Sequence, residues 1–136
     1  MRNSKKKRRC FLSGTTTVET ALVLPLLFLV TFGAIKYGWL FLKSQEITNA
    51  TRQAARIAIR PGDRSAEVES EIIQRMADAN IEGYTYTVTP GTNPPVGTEV
   101  SVNITIPTAN VDILNITLLP TPATLGATIA MSKEGF

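Results

Sequence analysis

The sequence predicts an α+β protein. A long N-terminal helix, membrane-embedded in its first half, carries a small external head of one short helix and about three antiparallel strands. Three observations predict this. Thr20–Leu42 is a run of 23 residues whose only charge is Lys36. Lys43–Ile59 contains no proline or glycine and repeats apolar residues every three or four positions. From Tyr84 onward the apolar period becomes two.

The membrane segment comes first along the chain. About 20 helical residues cross the hydrocarbon core of a bilayer, so Thr20–Leu42 is long enough. A chain of 136 residues, one domain in size, has little core in which to hide a helix that is apolar on all sides. Lys36 lies near the far end, where its stem can extend the ammonium to the headgroups. Tyr37 and Trp39 stand beside it, as interfacial aromatic residues do. Lys36, Tyr37 and Trp39 are therefore the expected membrane-interface group. Pro25 removes one helical hydrogen bond, a loss that membrane helices tolerate.

Charge orients the segment. Residues 1–14 hold Arg2, Lys5, Lys6, Lys7, Arg8 and Arg9 and no acid, a charge of +6. The remaining eight Lys/Arg and all eleven Asp/Glu give −3, so the net +3 describes a basic tail and not a basic domain. The tail should stay cytoplasmic. Lys43, Arg52, Arg56 and Arg60 on the far flank weaken this bias without reversing it. A single pass with the head outside the cytoplasmic (inner) membrane is expected.

Composition excludes several function classes. There is no histidine, which removes histidine-based zinc sites and Ser-His-Asp or Cys-His catalysis. Cys10 is the only cysteine, so no internal disulfide can form. The acidic balance beyond residue 14 does not suit nucleic-acid binding. Glu67, Glu69, Glu71 and Asp78 do not converge on one helical face at tight spacing and read as solvated acids, not as metal ligands. No enzyme, no cofactor, no metal and no small-molecule substrate is expected.

The junction between tail and apolar run is the most informative stretch. An ordinary secretory signal is cut after its apolar region. A cut after Gly14 would instead remove the basic tail and keep the whole helix. Glycine suits the position before such a cut, because a protease cleft must take up an extended backbone without a side chain. The new amino terminus would be Thr15, and Glu19 lies four residues on, one turn along the same face. Glu19 is open to two readings. It is an acid favourable to the helix dipole, or its carboxylate neutralises the amine of its own or a neighbouring chain and so fixes axial register between subunits. Arg8-Arg9-Cys10-Phe11-Leu12 also contains the core of a twin-arginine export signal, but nothing downstream looks like the cofactor site of such cargo.

Here the chain resembles a family. Gly14-Thr-Thr-Thr-Val-Glu19-Thr-Ala-Leu-Val-Leu-Pro25 is similar to the N-terminal signature of TadE-like proteins, minor pseudopilins of the bacterial Flp/Tad pilus in the type IVb group. Gly33, Tyr37-Gly38, Gln45, Thr48-Asn49-Ala50, Arg52 and Ala54-Ala55-Arg56 continue the pattern, and the last strand before Lys133-Glu134 fits it too. Thr20 stands where the family usually carries an aromatic residue. The resemblance implies a pilin-like fold and a pilus assembly protein. It implies cleavage at Gly14–Thr15 by a prepilin peptidase and assembly with other pilus subunits and assembly platform proteins, in support of adhesion and biofilm formation. The alternative is an uncleaved single-pass protein whose external domain binds a partner.

The remaining elements follow in order. The helix continues past the membrane with Ile47, Ala50, Ala54, Ile57 and Ala58 as a narrow apolar stripe. Arg52, Arg56 and Arg60 form a basic row, either a solvated face or a contact for anionic lipid or an acidic partner. Pro61-Gly62-Asp63 stops this helix. A second helix fits residues 65–79, with Ser65 as N-cap and Val68, Ile72, Met76 and Ala77 as its apolar face. Tyr84, Tyr86 and Val88 make one strand and Val100, Val102, Ile104 and Ile106 the next, joined by the loop 90–97. Leu125, Ala127, Ile129 and Met131 mark a third. Residues 107–122, rich in leucine and isoleucine between prolines, either cap the core or form a contact surface. The expected divisions are a leader at 1–14, a long helix at 15–60 with its membrane part at about 20–42, and a head at 61–136.

Overall fold

The computed structural model describes residues 13–91, 93–114 and 119–135, with side chains from residue 16 onward. It divides into two compact units, Met1–Ile35 and Lys36–Phe136. The basic leader up to residue 12, with Cys10, lies outside the described residues.

The first unit holds the beginning of α1 (Ser13–Ala58), a helix of 46 residues with Pro25 inside it. Every side chain from Thr16 to Phe32 is exposed, among them Leu22, Leu26, Leu27, Phe28 and Val30. Apolar surface of this extent is suited to acyl chains or other apolar helices, not to water. Thr20 and Thr31 donate their hydroxyls to the carbonyls of Thr16 and Leu27, both at 2.8 Å. Both donors are thus satisfied inside the helix, as an apolar surrounding demands. Among the described residues, α1 is long and apolar enough to cross a membrane.

The second unit holds the rest of α1, then α2 (Ser65–Asp78), β1 (Thr85–Thr89), β2 (Glu99–Pro107) and β3 (Thr124–Ser132). A single 3-10 turn, Thr108–Asn110, follows β2. The sheet is antiparallel in the order β1-β2-β3, so the α+β arrangement expected from the periods is the one observed. Val102 faces Val88 on one side and Ile129 on the other, and Ile104 faces Tyr86 and Ala127.

The core belongs largely to β2 and the two helices. Val100, Val102, Ile104 and Ile106 are buried in one cluster with Val68, Ile72 and Met76 of α2 and Ile47, Ala50, Ala54, Ala55 and Ala58 of α1. The small alanine face lets backbone approach backbone closely. Tyr84, Tyr86, Leu125, Ala127, Ile129 and Met131 pack at its edge. A head of this size is marginal alone, and the second half of α1 supplies the missing apolar surface.

Two local expectations are corrected. Ser65 is not the N-cap of α2 but its first residue. Arg64 takes the cap position without a side-chain bond, and the Ser65 amide donates to Asp63 Oδ1 at 3.0 Å. Ala77 is exposed, because Val68, Ile72 and Met76 already form a stripe spaced by four and the next residue turns about 100° away. Ile81, beyond the helix, completes that side of the core.

Gly126 is fixed by space. A Cβ there would lie 2.8 Å from the Ile104 carbonyl oxygen and 2.7 Å from Thr105 Cγ2. Gly126→Val should therefore destabilise the head by about 1–3 kcal/mol, read as a lower thermal midpoint of the full chain in detergent. An unchanged midpoint would show that the strands yield at this point.

Candidate functional site

The first candidate is the start of α1. Gly14 and Thr15 are both helical, inside the first turn after Ser13. Glu19 is exposed and shares a shallow helix surface with Thr20, Val23, Leu24 and Leu27. Its spacing of four to Val23 and eight to Leu27 puts the carboxylate at the end of an apolar stripe.

The second candidate is the turn of α1 at Lys36–Lys43. Lys36, Trp39, Leu40 and Lys43 fall on one helical face, and that face meets the head. The Lys36 side chain is only 2% exposed. Its Nζ lies 3.0 Å from Asp112 Oδ2. The reason is electrostatic: a fixed carboxylate close by holds the ammonium where an apolar surrounding would otherwise expel it. Tyr37 donates its hydroxyl to the Pro120 carbonyl at 2.7 Å, and Trp39 Nε1 donates to the Val111 carbonyl at 2.8 Å. The Lys43 ammonium stands 5.0 Å over the Trp39 ring and donates to Glu46 and to the Ala79 carbonyl. Both described ends of the segment between β2 and β3 are thus tied to α1. Residues 115–118 within it, part of the stretch 107–122 considered above, lie outside the described residues.

Asp112 was missed by sequence reasoning, although a signal existed. Lys36 is the only charge in Thr20–Leu42, and Asp112 is the only charge in residues 107–122. Two lone charges of opposite sign, each in an apolar run, are natural partners.

The arginine row divides. Arg52, Arg56 and Arg60 are all exposed. Arg52 and Arg56 line a groove between α1 and α2 with Glu46, Arg75 and Asp78, whereas Arg60 lies outside it. Arg75 is bonded to Glu71 at 2.8 Å, and this carboxylate raises the guanidinium above its ordinary range. Arg64 pairs in turn with Glu67, so two of the acids on α2 are engaged by arginines.

A family model described as TadE-like protein matches residues 14–56. The chain carries a TadE-like segment. This segment begins at Gly14, includes Glu19 and ends at Arg56 of the basic row, so it covers nearly all of α1. No curated protein and no solved structure matches the chain significantly. The TadE-like family is associated with the Flp/Tad pilus and is structural, not known for catalysis. The segment and the long apolar helix are of the kind found in membrane-anchored, pilus-associated proteins.

Proposed function

We propose that the protein is a minor pseudopilin of a Flp/Tad pilus. It is cleaved between Gly14 and Thr15 by a prepilin peptidase and assembled through the apolar half of α1 with other pilus subunits and the assembly platform, in support of adhesion and biofilm formation. One observation carries this reading. The TadE-like segment starts at the residue before the proposed cut and runs along a helix whose apolar side chains are all exposed from Val18 to Phe32. A helix of that kind needs either lipid or its own kind around it, and pilus assembly exchanges the first for the second. The leader 1–14 stays in the cytoplasm, and the head stands outside the inner membrane.

In this reading Glu19 sets register. Its carboxylate neutralises the Thr15 amine of its own or a neighbouring chain, a bond whose strength grows in an apolar bundle. The basic row is assigned to a partner subunit and not to lipid. Arg52 is sixteen residues beyond Lys36, or about 24 Å along the helix. A headgroup layer is only about 5–7 Å deep on each side. An acidic surface on a neighbouring head is within reach of such a row, whereas the bilayer below an upright helix is not.

The mass and N-terminal residue of the protein from native membranes test the cleavage. A chain beginning at Thr15 is expected, and one that keeps Met1 would support the uncleaved single-pass anchor instead. Glu19→Ala should insert normally yet reduce incorporation into sheared pili by roughly tenfold or more, the loss of a charged pair worth about 1.4 kcal/mol per factor of ten. Normal incorporation of this variant would remove Glu19 from the register role.

A further inference from the structure

Most cations of the second unit are already engaged. Among its described residues, Lys36, Lys43, Arg64 and Arg75 are each bonded to a carboxylate, and Lys133 is held by backbone carbonyls. The guanidiniums of Arg52, Arg56 and Arg60 are the ones left without a bonded partner. Arg52 and Arg56 stand one turn apart, about 6 Å along the axis of α1, where like charges repel. A carboxylate supplied from outside would relieve that repulsion.

These two arginines, and not Arg60, line the groove between α1 and α2. It encloses about 530 Å³. That takes in several side chains of a partner but not a whole helix, which is about 10 Å across. Ala50 and Ala79 leave the space, and Asn49 and Gln53 add amides to its wall. Charge is graded along it. Lys43 donates to the Ala79 carbonyl, so the end of α2 lies beside the turn that holds Glu46. Asp78 joins Glu46 at that end, while Arg75 lies a turn back on α2 and Arg52 and Arg56 lie further along α1.

We propose that this groove is a docking site for an acidic helix of another polypeptide, one that presents two carboxylates four residues apart to Arg52 and Arg56. The proposal rests on the assignment of the basic row to a partner subunit, and narrows that contact to two of the three arginines. A spacing of four on the partner matches the spacing of four on α1. Each guanidinium offers a planar fork of donors that receives a carboxylate in two parallel bonds. The acidic end of the groove selects a peptide over a phosphate surface. Phosphates would meet the carboxylates of Glu46 and Asp78 as well as the arginines, whereas a helix can set a neutral or basic side chain there.

A photoreactive benzoylphenylalanine at Asn49, in the full chain in native membranes, tests this. Asn49 is exposed and lines the groove; Gln74, exposed on α2 and outside the groove, takes the same group as the control. Light should join position 49 to a peptide of another polypeptide. Its sequence, read by mass spectrometry, should carry two Asp or Glu residues at a spacing of four. Arg52→Gln with Arg56→Gln should lower this yield roughly tenfold or more, and Arg60→Gln by less than about twofold. All three arginines are exposed, so the denaturant midpoint of both variants should match that of the parent chain. An unchanged yield in the Arg52 and Arg56 variant, or an equal loss with Arg60→Gln, refutes the groove. A crosslink to lipid, to a second copy of this chain or to a segment without paired acids overturns the assignment, as does an acidic-peptide yield at 49 no greater than at 74. Sheared pili separate this from the pilus reading. If the Arg52 and Arg56 variant enters pili and keeps its crosslink, the pilus reading stands and the groove falls. If the expected crosslink forms in membranes and the chain is absent from pili, the groove stands and the pilus reading falls.

Discussion

Asp112→Ala should destabilise the head by about 3–5 kcal/mol, because it leaves the Lys36 ammonium buried without its carboxylate. The Lys36 side chain is 2% exposed and Asp112 only 14%, so solvent screens this pair weakly. Asp112 also accepts the Leu114 amide at 3.1 Å, and the alanine loses that bond as well. The measurement is a denaturant titration of the full chain in detergent micelles. The protein has a single tryptophan, and Trp39 lies beside the pair with its Nε1 bonded to Val111. Its emission therefore reports the opening of this region directly. The double variant Lys36→Met with Asp112→Leu should recover most of the loss, since it removes both charges and puts apolar side chains in their place. A double variant as unstable as Asp112→Ala would mean that packing and not charge holds this contact, and an unshifted midpoint for the single variant would dismiss the ion pair altogether.

Lys133→Ala is expected to cost about 2–4 kcal/mol. The Lys133 ammonium donates to three backbone carbonyls, Ala58 at the end of α1 at 3.2 Å and, in the turn that follows, Arg60 at 2.6 Å and Gly62 at 3.3 Å. The last carbonyls of a helix have no partner within the helix and carry its negative pole. A lysine ammonium has three donors, which matches the three acceptors. The Glu134 amide adds a fourth tie, to the Ile59 carbonyl at 2.9 Å. Lys133→Met keeps the aliphatic stem and loses only the donors, so it separates charge from packing. If methionine is tolerated as well as lysine in the same titration, the helix end gains nothing from the ammonium.

The elements of the fold were legible because their periods are clear. Val100, Val102, Ile104 and Ile106 alternate without a break, and Ile47, Ala50, Ala54 and Ala58 repeat at helical spacing, so burial on one face leaves little choice of structure. The start of α1 was legible for another reason: Gly14, Glu19 and the apolar run form a local pattern within a few residues. The contacts between distant segments were not legible. Nothing near Lys36 points to Asp112, seventy-six residues away, and nothing in Met131-Ser132-Lys133-Glu134 announces a helix cap. Such pairings depend on topology, which local patterns do not carry. The start of α2, where the Ser65 amide donates to Asp63 and Arg64 takes the cap position, shows the same limit on a small scale.

The position of Lys133 in the chain has a consequence for timing. The bond from Lys133 to Ala58 spans 75 residues, and Lys133 follows every strand of the sheet. Synthesis delivers α1 first and its closing cap last. Until the residues from β3 to Lys133 have been made, α1 stands with an open end and the sheet lacks its third strand. Contacts of such long separation form slowly. The newly made chain thus passes through an interval in which α1 is complete and the sheet packed on it is unfinished, and a chaperone has that interval in which to meet it.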